Sequence, residues 1–262
     1  MKTDTRARIQ QLIEKNGRMR PFELQKALTI SAQAIHRHLR ALSENGIIEV
    51  QGSAPFTRYR LAGSPEFDDA FKWARARTAP KGFETLVCET REIFSARLPR
   101  LKSFVKQGLP ENLLPLVVST AGEIGNNSFD HNLGQWQDIP GCWFEPQVSG
   151  RHLWICIADR GQGIYQSLVK MHPKLKDEET ALHAAFETII SGRAPEQRGN
   201  GLKFVKTTIL QTPGAGIACL SGSSRAFYGE QGPRCADFLN RNVTIVQGTI
   251  TLMIWQLYED RS

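Results

Sequence analysis

Glu123 and Asn127 stand four residues apart in ENLLPLVVSTAGEIGNNSFDHN (111–132). Read as one helix, this segment sets a carboxylate and a carboxamide one turn apart on a single face. Projection at about 100° per residue puts Leu113, Val117, Ala121 and Ile124 on one flank. Ser119, Glu123, Asn126, Asn127 and Asp130 fall on the other. A carboxylate so placed can hold a water beside a divalent cation. An amide oxygen, together with phosphate oxygens and waters, suits Mg2+. Alone, E-x-x-x-N fits any solvated helix face equally well.

Two further segments carry the same kind of signal. Leu153-Trp154-Ile155-Cys156-Ile157-Ala158 is a continuous apolar run suited to a central strand, and it ends in Asp159-Arg160-Gly161-Gln162-Gly163. A partly desolvated carboxylate there can accept from an exocyclic amine such as that of adenine. The spaced glycines let backbone approach a flat ligand, although an ordinary strand-to-loop turn would look alike. The third segment, Arg198-Gly199-Asn200-Gly201-Leu202-Lys203, opens a helix whose apolar residues are Leu202, Val205 and Ile209. Backbone N–H groups at a helix start bind phosphate, and Arg198 and Lys203 add positive charge; a glycine-rich helix cap is the plainer reading.

The chain has 262 residues, which predicts about two domains. Its net charge of +7 is uneven: residues 1–63 hold 11 Lys and Arg against 5 Asp and Glu, and the remainder is close to neutral. A basic module beside a neutral one points to a polyanion for the first. No run of about 18 apolar residues occurs, so a membrane span is excluded. The start, MKTDTRARIQQ, has no apolar signal region, which predicts a cytoplasmic protein. Five scattered cysteines without a C-x-x-C pair predict reduced, buried thiols.

The basic module shows three short helical patterns. Ile9, Leu12 and Ile13 make the first, stopped by Asn16-Gly17, and Pro21 begins the second, with Phe22, Leu24, Ala27 and Leu28. Ser31 caps the third, whose buried stripe is Ile35, Leu39 and Leu42, and Asn45-Gly46 ends it. Two strands follow, 47–50 and 57–61, around Gly52-Ser53-Ala54-Pro55. This order resembles bacterial winged-helix regulators over residues 4–62. The resemblance implies that the third helix enters the major groove of double-stranded DNA. Its outward residues are Gln33, His36, Arg37 and Arg40, with Arg58 and Arg60 on the hairpin for phosphates. A protein-binding or dimerising helical unit is the alternative.

Residues 63–110 read as a linker with connecting helices. Phe67, Phe71, Trp73 and Ala74 mark an amphipathic turn or two, and Leu86 to Phe104 reads as a longer helix. These helices fit a dimer contact or packing on the second domain. Residues 111–262 form that domain, with the helix from about 81 assigned to it or to the linker.

Glu123 to His131, Asp159 to Gly163 and Arg198 to Leu202, in this order, resemble the N box and two glycine boxes of the GHKL ATPases: gyrase, heat-shock chaperone, histidine kinase and MutL. The resemblance covers residues 81–262. It implies an α+β chain whose second part is a Bergerat α/β sandwich, helices layered on a mixed sheet, binding ATP and Mg2+. It implies that Asp159 reads the adenine amine, Gly161 and Gly163 wall the pocket, and Asn127 ligates Mg2+. His131, Arg198, Gly199, Asn200, Gly201, Leu202 and Lys203 would lie along the nucleotide, with Glu123 as general base and residues 165–197 as a lid. Histidine kinases often carry Lys where Asp130 stands, and the segment 86–104 has no His, which argues against an autophosphorylating sensor kinase. The expected function is an ATP-responsive, homodimeric DNA-binding regulator. The alternatives are an anti-sigma-like serine/threonine kinase acting on a small STAS-type protein and a non-catalytic ATP-binding module.

Overall fold

A computed structural model describes residues 5–187 and 201–258. The chain divides into two compact units, Met1–Ser64 and Pro65–Ser262.

In the first unit, α1 (Thr5–Asn16), α2 (Pro21–Leu28) and α3 (Ala32–Glu44) precede the hairpin β1 (Ile48–Gln51) and β2 (Arg58–Leu61). Ser31 caps α3 by accepting from the Ala34 N–H at 3.2 Å. Ile9, Ile13, Leu24, Ile35, Leu39, Leu42 and Ile48 close one core. That core holds the third helix against the other two and leaves its opposite face in water.

The second unit runs α4 (Asp68–Arg75), β3 (Val87–Cys88), α5 (Arg91–Arg97), a 3-10 helix (Leu98–Gln107), α6 (Leu114–Asp130), β4 (Cys142–Ser149) and β5 (His152–Asp159). It continues with α7 (Gly163–Val169), α8 (Glu178–Glu187), α9 (Gly201–Gln211), β6 (Ala215–Ser221), β7 (Ser224–Tyr228), α10 (Gly232–Asn242) and β8 (Thr249–Gln256). Six strands form one sheet in the order β3-β4-β5-β8-β6-β7. Each neighbouring pair is antiparallel, which corrects the mixed sheet that the family resemblance implied.

Both faces of the sheet are covered. Leu153, Ile155 and Ile157 of β5 join Val117, Ala121 and Ile124 of α6 in one core. Trp154, Cys156 and Ala158 join Phe71 and Trp73 of α4 and Leu239 of α10 in another. Burial on both sides explains why β5 reads as an unbroken apolar run. Residues 65–110 pack within this second unit, and α4 lies on the second face. The long helix expected from Leu86 to Phe104 is instead a short edge strand, a seven-residue helix and a ten-residue 3-10 helix. Pro99 lacks the N–H that an α-helix would need in its interior, and the chain tightens there.

Close helix packing depends on Gly125. A Cβ there would lie 2.1 Å from the ring of Phe94, itself fully buried. Gly125→Ala should therefore lower stability by about 1–3 kcal/mol, read as a lower midpoint in urea unfolding; an unchanged midpoint would show that Phe94 has room to withdraw.

Candidate functional site

On α3, Gln33, His36, Arg37 and Arg40 are all exposed while Ile35, Leu39 and Leu42 are buried. The four polar side chains thus share the open face of one rigid helix, the geometry that base-edge readout needs. Arg58 is half-buried on the hairpin. Arg60 is engaged: it lies opposite Glu49 in the strand register and pairs with it at 2.8 Å. A phosphate at Arg60 would compete with that carboxylate.

In the second unit, a cleft opens beside the end of β5. Asn127 and Ser128 of α6, His131 just after it, Asp159 of β5, Gly163 and Ser167 of α7, and Gly201 and Leu202 of α9 line it. Ile124, Ile157, Ile164 and Leu168 make its apolar walls. Apolar walls with a few convergent polar groups suit a small ligand.

Asp159 is 5% exposed. One carboxylate oxygen accepts from the Gly161 N–H at 2.9 Å and from Asn132 Nδ2 at 3.1 Å. The other accepts from Ser128 Oγ at 3.3 Å. Burial pushes the carboxyl up to about 6, against the pull of the Gly161, Ser128, Asn132 and Thr249 hydrogen bonds. The group is a desolvated acceptor held in place by these donors.

Asn132 organises the turn. Its Nδ2 also donates to the Ser128 carbonyl at 3.0 Å, and its Oδ1 accepts from the Gln162 N–H at 3.1 Å. A Cβ on Gly161 would lie 2.0 Å from the Asn132 carboxamide. The two glycines therefore differ in role. Gly163, at φ +77°, lines the cleft, whereas Gly161 makes room for Asn132 and does not line it. Arg160, 1% exposed, turns away from the cleft and grips Asp138 through Nε at 2.7 Å and Nη2 at 2.8 Å, anchoring the strand end.

Glu123 and Asn127 stand one turn apart, both half-buried. Glu123 lies just outside the cleft lining with Oε2 against Gly201, where a Cβ would come within 2.4 Å of it. His131 lines the cleft and has Nδ1 at 3.0 Å from Ser167 Oγ. Asp130 is paired with Arg91, so its charge is compensated without a ligand. Lys203 is exposed on α9, away from the lining. Arg198, Gly199 and Asn200, and the part of the expected lid after α8, residues 188–197, lie outside the described residues. Among the described residues, no group of three or more His, Cys, Asp or Glu side chains is placed to hold a metal ion by itself.

Sequence reading missed Ser128, Asn132, Ser167 and Thr249. Ser128 and Asn132 are spaced by four, which marks one helix face, but nothing in the sequence alone aims that face at Asp159.

Residues 2–49 match the family model described as winged helix-turn-helix DNA-binding. No curated protein and no solved structure matches the chain. The N-terminal unit is thus a winged helix-turn-helix DNA-binding domain, which supports a DNA-binding regulator. Among the described residues, no helix is long and apolar enough to cross a membrane.

The raised carboxyl sets a pH dependence. Between the ordinary aspartate value of 3.8 and about 6, folded protein retains a proton that unfolded protein has released. Stability therefore falls as pH rises through that window, by roughly 3 kcal/mol for this group. Urea unfolding of ligand-free protein should show the fall in wild type and not in Asp159→Asn; parallel curves would contradict it.

Proposed function

We propose that the second unit binds ATP with Mg2+ in the cleft beside Asp159, and that nucleotide occupancy controls DNA binding by the winged helix. The reading rests on one observation: three separated segments contribute Asn127, Asp159, Gly163 and Gly201 to the lining of a single cleft. Their order and chemistry resemble a GHKL nucleotide site. The donor set fits the ligand. A desolvated carboxylate suits an exocyclic amine, apolar walls suit a purine, and the α9 start suits phosphate. Mg2+ keeps several waters and takes few protein oxygens, so Asn127 and phosphate oxygens are sufficient.

Held by Asn127 and phosphate oxygens, a bound magnesium would supply neutralising charge at the phosphates. The protein's own residues do the rest. Ser128, Asn132 and the Gly161 N–H fix the Asp159 carboxylate for the base. Apolar side chains exclude water from it. Glu123, whose Oε2 lies against Gly201 at the start of α9, would accept a proton from a water or hydroxyl at the phosphate end. That last feature favours an active ATPase or protein kinase over a passive ATP-binding module. A small STAS-type protein is the acceptor that the kinase reading implies, and a homodimer is the DNA-binding form it shares with the regulator reading.

Nucleotide alters DNA affinity only if it binds one conformation better than another. Calorimetry with MgATP should show binding that Asp159→Asn weakens about 10-fold or more; equal binding would overturn the site. A gel shift on duplex DNA, with and without a non-hydrolysable analogue, tests the coupling, and unchanged affinity at saturation would overturn it. Arg37→Ala and Arg40→Ala should each weaken DNA binding and lower the log–log salt slope by about 1 where a phosphate contact is lost. Unchanged DNA binding in both variants would move the interface off α3.

A further inference from the structure

Cys88 and Cys142 face each other across the sheet edge. They are direct partners in the β3–β4 register. The Phe144 N–H donates to the Leu86 carbonyl at 3.0 Å, so Leu86 and Phe144 are a hydrogen-bonded pair. Two residues along, Cys88 and Cys142 are the next such pair, a pair type whose Cα atoms lie about 5.5 Å apart in regular antiparallel sheet. That separation falls within the range a disulfide spans. Gly141, at φ +93°, lets the two strands approach, since a Cβ there would lie 1.9 Å from the Cys88 carbonyl oxygen. The same row continues across the sheet, because Cys142 is opposite Asp159 and Asp159 opposite Thr249. The dithiol therefore sits one strand from the cleft.

The surroundings favour one thiolate. Arg97 places its guanidinium near Cys88, with Nη2 on the Glu84 carbonyl at 3.4 Å and Nη1 buried without a hydrogen-bond partner. A thiolate would supply the missing acceptor. The Cys142 hydrogen bond, then the charges of Arg97 and Arg100, hold the Cys88 thiol below the usual cysteine range, while burial pushes Cys142 well above it. Burial likewise raises Cys156, Cys219 and Cys235. Both partner thiols are buried, but β3 is a two-residue edge strand followed by the exposed Glu89 and Thr90, and strand ends at a sheet edge open locally at lower cost than the sheet's centre.

We propose that Cys88 and Cys142 form a reversible dithiol–disulfide pair that responds to hydroperoxide. The Cys88 thiolate attacks one peroxide oxygen and the O–O bond breaks. Hydroxide leaves and takes up the proton that the thiol released, giving water and a sulfenic acid. The Cys142 sulfur then attacks the Cys88 sulfur, and its proton departs with the sulfenic oxygen as a second water. Two thiols and one hydrogen peroxide become one disulfide and two waters. A thiol reductant restores the pair.

The test uses the reduced full chain, treated with hydrogen peroxide and then alkylated under denaturing conditions. The expected result is a loss of about 2 Da before alkylation, one per thiol hydrogen. Three of the five cysteines should take up the alkylating agent, and one linked peptide should contain Cys88 and Cys142, released by dithiothreitol. Cys142→Ser should stop at a Cys88 sulfenic acid that reacts with dimedone, and Cys88→Ser should remain unoxidised. Unchanged mass, or a linkage through any other cysteine, would overturn the proposal. The wild-type peptide map decides it even where a variant fails to fold, and it reads chemistry that nucleotide binding does not affect.

Discussion

A carboxylate with almost no access to water sits at the end of a central strand, and the geometry of the second unit's cleft follows from keeping it there. Burying Asp159 costs free energy, seen in the rise of its carboxyl to about 6. That cost is offset by donors from three directions: the Gly161 backbone, Asn132 and Ser128 from the end of α6, and Thr249 from the start of β8. Each donor fixes an element. Asn132 binds the end of α6 to the turn after β5, and the glycine at 161 exists to admit it. The cleft is what remains between these constrained pieces. A polar network this complete holds one arrangement, and an acceptor held in one arrangement is what selective ligand binding requires.

Much of this was legible in the sequence wherever a signal was local. The β5 run, its terminal carboxylate, the Ser31 cap and the exposed face of α3 each depend on spacing within a few residues. What escaped depends on tertiary neighbours. Asn132 is an ordinary polar residue until the fold sets it against Gly161. Arg60 read as a phosphate ligand, yet the hairpin register puts Glu49 opposite it. Leu86 to Phe104 has a helical apolar period, but Pro99 and the edge position of Val87–Cys88 divide it. The antiparallel order of the sheet is set by which strand hydrogen-bonds to which, and strand composition does not encode that.

The two units put different chemistry on one chain. The first presents arginine, glutamine and histidine on an open helix face, suited to a polyanion whose base edges carry information. The second presents a recessed acceptor with apolar walls, suited to a small flat ligand. On the proposed reading, the chain joins an input of small-molecule chemistry to an output of nucleic-acid binding. The paired thiols one strand away from Asp159 add a second input class to the same sheet.

The central claim is that the Asp159 carboxylate recognises an exocyclic amine. The most direct measurement is a calorimetric comparison of magnesium complexes of ATP and of inosine triphosphate, which has a carbonyl in place of the adenine amine. The account predicts that inosine triphosphate binds about 10-fold more weakly or worse, because a buried carboxylate would face another acceptor. Equal affinity for the two nucleotides would contradict it.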